Sequence, residues 1–389
     1  MRKILFLPSV PPNFALAWEK KGYQPVSAAE EFTGLEKGQL GQRIAYYKQH
    51  DDIWAVFTFN FVPLLAECCE TNNVYYISWA VDCPHLTLWH RSANNPYVYN
   101  FVFDYKQFEM LRSMGMQRAF YLPLCADVDA FEESINAQQS EKEYKADVAF
   151  VGNLYADDEH ALYDRISFLP PYVKGYLDAL LGVQRKIWGE NLLYDAITDT
   201  VWNQVRQYVK WDLGEGYPEE IYELLFSGML AQKLAQLERK EVCSYLASHY
   251  DFVLYTDNDT SFDPRIRNCG HADYLTEMPL VFHNSKINIH ITLRSITSGI
   301  SLRVLDVLAS EGFLLTNYQQ EIAEYFVDGE ELVMYSDFAD MYEKIDYYLA
   351  HEEERQRIAH AGYLKVKELF HYSVGIGKII DILESEIDE

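Results

Sequence analysis

The chain has no Cys-x-x-Cys pair among its six cysteines, Cys68, Cys69, Cys83, Cys125, Cys243 and Cys269. The neighbours Cys68 and Cys69 cannot easily bridge each other, so the pattern argues against zinc ligation and for buried thiols in a reducing, cytoplasmic setting. No apolar run approaches the ~20 residues of a membrane span. The opening MRKILFLPSV reaches Pro8 after four apolar residues, too few for the core of a secretory leader. Positive charge is scarce: 33 Lys and Arg against 59 Asp and Glu leave a formal net charge of −26. Such a surface repels nucleic acid and anionic membranes, although a few clustered arginines can still hold one phosphate group against that field. Internal repeats and low-complexity tracts are also missing.

What is present fits two domains, because 389 residues exceed what one core usually accommodates. Tyrosine and phenylalanine, at 30 and 21 residues, are expected mainly in cores and interfaces, with sugar-stacking surfaces as their second use. Over 1–125, short apolar runs at 4–7, 54–59, 74–79, 98–103 and 119–124 alternate with helical periodicity. That alternation predicts a parallel α/β sheet. Residues 126–145 are polar and acidic and read as a surface connection. A second α/β domain is expected over 146–370, restarting at 146–153. It is interrupted by a strandless helical stretch at 156–250 and resumes at 252–256. Helices close the chain, and 371–389 is expected to pack back on the first domain.

The stretch 287–317 is the most informative. Ile287 to Ile291 alternates as a half-buried strand, Ser295 to Ile300 is a small polar loop, and Leu302 to Ala309 has helical spacing ended by Gly312. A strand, polar turn and helix present a helix N-terminus to an anion. Arg303 and Asp306, three apart, share a face. An arginine can hold a phosphate and a carboxylate can accept from ribose hydroxyls, which points to a nucleoside diphosphate. The alternative is a plain ion pair along the helix. Ser298, Gly299 and Ile300 are the candidate backbone donors, Arg294 a second phosphate partner, and His290 a residue with one side towards the ligand. Gly152 and Asn153 end the first strand of this domain, and Tyr255 and Thr256 end the next, where a base could lie. Asp257-Asn258-Asp259 reads as a turn rather than a metal motif.

In the first half, Asp82 is the candidate general base, since a carboxylate at the carboxyl end of a strand sits where α/β sheets bind ligands. Its bland alternative is a helix N-cap. His85 is a second candidate base. Asn60 is expected to orient an acceptor hydroxyl, with Ser9, Asn13 and Trp79 lining the same acceptor region.

Several segments together resemble the GT-B glycosyltransferases, and more narrowly the CgeB-like, group 1 transferases: Val148 to Asn153, Ile287 to His290, Gly299 to Glu311, and Gly362 onward to His371-Tyr372-Ser373. Ser78 to Pro84 and Phe103-Asp104 to Leu124 agree in the first half. The resemblance implies two Rossmann-like domains facing a cleft, with the acceptor on 1–125 and the donor on 146–370. It implies metal-independent transfer of a sugar from a nucleotide sugar, a UDP-sugar foremost, to a hydroxyl of a glycan or protein, with no further cofactor. Many group 1 enzymes carry two glutamates seven residues apart. Asp306 fits the second position, but Gly299 stands at the first, so the usual donor-sugar carboxylate is missing. The rival readings are a nucleotide-sugar epimerase and a non-catalytic module binding a nucleotide, glycan or partner.

Overall fold

A computed structural model describes residues 1–7, 10–137, 144–157, 160–188 and 190–387. The apolar runs form two six-stranded parallel sheets. Strands buried on both faces read as continuous apolar segments rather than alternating ones, and Ile53–Phe59 is the clearest case.

The first unit comprises Met1–Asp127, Leu213–Ile221 and Phe370–Glu389. Its strands are β1 (Lys3–Phe6), β2 (Gln24–Ser27), β3 (Ile53–Phe59), β4 (Tyr75–Trp79), β5 (Val98–Val102) and β6 (Ala119–Tyr121), ordered β2-β1-β3-β4-β5-β6. Helices α1 (Pro12–Lys20), α2 (Lys37–Asp51), α3 (Pro63–Thr71) and α4 (Tyr105–Ser113) make the crossovers. The C-terminal helix Tyr372–Ile387 packs on α1, with the Tyr372 ring edge-on to Phe14 at 5.2 Å. Gly375 permits this, because a Cβ there would come within 2.6 Å of the Cys125 sulfur. One segment of the expected helical stretch of the second domain belongs here instead. Residues 213–221 hydrogen-bond through Gly216 O to Arg91 N–H at 2.9 Å. Gly216 has φ +99°, and a Cβ would strike the His90 ring.

The second unit comprises Val128–Asp212 and Tyr222–Leu369. Its strands are β7 (Val148–Val151), β8 (Phe252–Tyr255), β9 (Arg267–Asn268), β10 (Ile287–His290), β11 (Leu314–Asn317) and β12 (Val333–Tyr335), ordered β12-β11-β10-β7-β8-β9. Its helices are α5 (Val128–Ala137), α6 (Pro171–Gln184), α7 (Leu192–Asp195), α8 (Asp199–Tyr208), α9 (Ile221–His249), α10 (Met278–Asn284), α11 (Leu302–Ala309), α12 (Gln320–Tyr325), α13 (Phe338–Ala350) and α14 (Glu352–Leu369). The expected surface connection 126–145 therefore contains α5, whose apolar face packs on α10 and whose Ser134 hydroxyl donates to Leu275 O at 2.6 Å. The strandless stretch is helical. It has its own core, built from Tyr163, Leu177, Leu181, Val201, Trp202 and Val205. Helix α9 joins both cores: Phe226, Leu230 and Leu234 lie in the helical one, Val242, Cys243 and Leu246 in the sheet one. Among the described residues no helix is long and apolar enough to cross a membrane.

Candidate functional site

At the carboxyl end of the first sheet the chain leaves β3 and β4 in adjacent turns. Asn60 takes φ +61°, the left-handed region that asparagine tolerates. Its Oδ1 accepts from Val81 N–H at 2.9 Å, and its Nδ2 donates to Asp82 Oδ2 at 2.7 Å. Both ends of the amide are thus committed to the protein. Asn60 holds Asp82 rather than presenting itself to an acceptor hydroxyl, which revises the expectation for it. Asp82 caps no α-helix; the chain after it forms the 3-10 turns Leu86–Trp89 and Arg91–Asn94. Asp82 is exposed.

His85 is less suited to a base than the sequence suggests. Its Nε2 accepts from Phe61 N–H at 2.8 Å, and Thr87 Oγ1, itself donating to Phe61 O, lies at 2.6 Å. Burial lowers its pKa, since an apolar setting disfavours imidazolium. The lone pair at Nε2 is already used. Trp79 is 1% exposed and packs against Phe14 and Phe59, with its N–H donating to Leu122 O. It is core, not an acceptor wall. Asn13 donates to Asp127 at 2.8 Å. Ser9 lies outside the described residues.

At the carboxyl end of the second sheet, residues 291–301 run from β10 to α11. Arg303, in the first turn of α11, lies over the Phe282 ring and pairs with Asp306 at 3.1 Å. Asp306 is buried and also accepts from Tyr274 Oη at 2.9 Å. Burial raises its pKa to about 6, outweighing the lowering by Arg303 and Tyr274. A carboxylate sealed from water keeps that penalty even beside one cation. Arg303 retains a quarter of its side chain exposed, so it is the cation of this loop region with access to a ligand.

Arg294 takes a different course. Its Nη2 donates to Glu238 Oε1 at 2.7 Å and its guanidinium lies 3.2 Å from the centre of the Trp188 ring. Arg294 and Glu238 are both buried. The phosphate role expected for Arg294 is withdrawn, because its charge is already paired inside the protein. Burial raises the Glu238 pKa despite Arg294. Among the described residues, Arg294 Nε, Arg239 Nε and Glu238 Oε2 have no hydrogen-bond partner.

His290 is buried, touches Ser301 Oγ at 2.8 Å through Nε2, and has its pKa pushed well down by burial and by Arg239 and Arg303. It is a neutral structural link between β10 and the start of α11. Ser298 is buried and donates to Glu321 at 2.7 Å, and Ile300 is fully buried. Gly299 lies between them. Gly152 N–H donates to Tyr255 O at 3.1 Å. A Cβ on Gly152 would meet only ordinary contacts with the protein, the nearest at 3.4 Å from the Phe150 ring. Asn153 turns the chain with its Oδ1 accepting from Tyr155 N–H, and its carbonyl accepts from Arg239. Thr256 is buried, its hydroxyl accepting from Asn258 N–H at 3.3 Å. Burial beside Cys269 pushes the Tyr255 phenol up. Asp257-Asn258-Asp259 is a turn: Asn258 accepts from Leu154 N–H and donates to Asp157, and Asp259 accepts from Ser261. Among the described residues no cluster of three His, Cys, Asp or Glu is placed to hold a metal.

Arg239 was missed in the sequence. From α9 its guanidinium donates to the carbonyls of Asn153 and Ile291, tying the turns after β7 and β10 together, and it lies 5.0 Å from the Tyr155 ring centre. Trp188, Glu238 and Tyr274 were missed as well. Nothing in a helical periodicity distinguishes such residues from surface charge.

Residues 230–381 match a family described as glycosyl transferase-like, and the matched stretch contains β10, residues 291–301, Arg303 and Asp306. The whole chain is similar in fold to a sucrose-phosphate synthase from Thermosynechococcus elongatus, at 9% identity and TM-score 0.55, covering 99% of this chain and 100% of that one. It is similar to HepE from Anabaena in complex with UDP-glucose, at 10% identity and TM-score 0.53, with 99% and 100% covered. A glycosyltransferase involved in avilamycin A biosynthesis matches at 12% identity and TM-score 0.50, with 98% and 96% covered. No curated protein matches the chain. The fold is that of the GT-B glycosyltransferases.

Proposed function

We propose that this chain, with the fold of GT-B transferases, moves a sugar from a nucleoside-diphosphate sugar to a hydroxyl of a glycan or protein. The observation that carries this reading is the family match over 230–381, which contains the loop region and helix bearing Arg303 and Asp306. A UDP-sugar is the donor of choice, since the similar fold HepE has been solved with UDP and with UDP-glucose.

The acceptor oxygen attacks the anomeric carbon while the Asp82 carboxylate takes its proton. The bond to the diphosphate oxygen breaks, and negative charge develops on the leaving group. Arg303 and the N–H groups opening α11 stabilise that charge, which removes the need for a divalent cation. Asp306, buried with its oxygens on Arg303 and Tyr274, orients Arg303 towards the diphosphate rather than reaching a ribose hydroxyl. With Gly299 at the position of the usual glutamate, no carboxylate side chain faces the donor there.

Thermal shift against UDP, GDP, dTDP and CMP, with and without Mg²⁺, tests the donor half. A nucleotide at a hundred times its dissociation constant adds ~2.7 kcal/mol of stability. The expected result is stabilisation by UDP, indifferent to Mg²⁺ and lost in Arg303→Ala. No shift with any nucleotide sinks the reading. Binding without transfer or hydrolysis of UDP-sugars leaves a non-catalytic nucleotide module instead.

A further inference from the structure

The run 291–301 is fastened along its length. Towards α11, Thr292 N–H donates to Asn317 Oδ1 at 2.7 Å, Gln319 donates to Ile296 O at 2.8 Å, and Ser298 exchanges two hydrogen bonds with Glu321. Its first half is fastened by the helical stretch. Arg294 lies on the Trp188 ring and donates to Ile187 O, while Asn191 Nδ2 donates to Arg294 O at 3.0 Å. Leu293 packs against the core of that stretch. Trp188 is itself held edge-on by Tyr335 and Phe338, both at 5.7 Å between ring centres. One face of the indole thus carries the guanidinium while its edges are anchored to β12 and α13.

We infer that Trp188 and Asn191 are positioning residues for the donor loop region: residues of the helical stretch hold 291–301 in the conformation that opens α11 towards a nucleoside diphosphate, without touching the nucleotide. The inference rests on the donor reading above. The geometry gives it a specific cause. Arg294 is buried with a charge that one carboxylate oxygen satisfies on one side, and the flat indole covers the other. Removing the ring exposes the guanidinium to water, and the loop backbone follows its side chain outward. Asn191 adds a direct grip, since its Oδ1 caps α7 through Leu193 N–H at 3.0 Å while its amide N–H holds the loop.

Hydrogen exchange by mass spectrometry on the full chain, free of ligand, decides the matter, with UDP affinity measured in parallel. In Trp188→Leu, exchange over 291–301 rises about tenfold or more while β7, β8 and β10 keep their protection, as local rather than global opening requires. UDP affinity falls about tenfold, the same 1.4 kcal/mol. Trp188→Phe restores both. Asn191→Asp keeps the cap acceptor but loses the N–H grip, and gives the same local effect; it carries the test if Trp188→Leu does not fold. Trp202→Leu, in the helical core rather than beside Arg294, leaves 291–301 protected. Unchanged exchange over 291–301 in both variants overturns the inference, as does exchange raised equally across the whole unit. If the wild type binds no nucleotide, the donor reading fails, and the exchange result still decides the positioning role.

Discussion

At the carboxyl end of the first sheet, the segments after β4, β5 and β6 carry Asp82, Asp104 and Asp127. At the same end of the second sheet, the turns after β7 and β10 are crossed by the guanidinium groups of Arg239 and Arg294, and Arg303 follows at the start of α11. Two six-stranded parallel sheets of different strand order thus place carboxylates at one carboxyl end and arginines at the other, two of the three paired with Glu238 and Asp306, where α/β sheets bind ligands. An anionic end suits a group that must take a proton from a hydroxyl. A cationic end suits a leaving diphosphate. The difference also extends to burial. Asp104 and Asp127 are buried, but Asp82 is exposed and held by one neutral amide, whereas the second unit seals Glu238, Arg294 and Asp306 from water.

The largest effect expected from breaking this division is on turnover. Asp82→Asn should slow transfer by about 10²–10⁴-fold and leave UDP affinity unchanged; steady-state kinetics with calorimetry would show whether the roles are separate, and an equal loss in both would erase the contrast. Next comes the buried pair. Glu238→Ala leaves Arg294 buried without its carboxylate and should cost about 3–5 kcal/mol in urea unfolding, while a comparable change at Asp82 should cost far less. Asp306 offers a pH test. Its carboxyl has a folded pKa of about 6 against an ordinary 3.8, so the fold favours the protonated form. That contribution is present below pH 3.8 and is lost as pH rises through 6, at most ~3 kcal/mol; Asp306→Asn should flatten the profile. Nucleotide affinity should run the other way in the wild type, weakening as pH falls below 6, since the ionised form of Asp306 is what holds Arg303 in place. The smallest change is Asn60→Gly. It keeps the left-handed backbone, loses the hydrogen bond to Asp82 at about 1 kcal/mol, and should lower the transfer rate several-fold in steady-state kinetics.

The sheets were legible because parallel strands buried on both faces leave unmistakable apolar runs, such as β3 and β5. The break at the helical stretch was equally plain. The two-residue β9 was not, since it sits exposed at a sheet edge and carries no apolar signal. Nor were α5, α10 and α12, which are short and are set by packing rather than by capping motifs. In the candidate site, Arg303 and Asp306 stood out through local spacing. The fates of Arg294, Trp79 and His85 depend on partners distant in sequence, and so does the recruitment of Arg239 and Trp188. No local pattern records whether an arginine meets a ligand or a buried glutamate.

Helix α9 carries one further consequence, for the order in which the chain acquires its structure. The helical core draws its residues from 163–234, close together in sequence, whereas pairing β7 with β10 must close a loop across that entire stretch and more. Loop closure slows with separation, which predicts that the helical core forms first, with α9 emerging from it as a preformed rod; pulse-labelled hydrogen exchange during refolding should then protect α9 before β7 and β10. Val242, Cys243 and Leu246 are then presented on one continuous surface, onto which β7, β8 and β10 collapse. A segment that resembles an interruption in the sheet is, in time, its template.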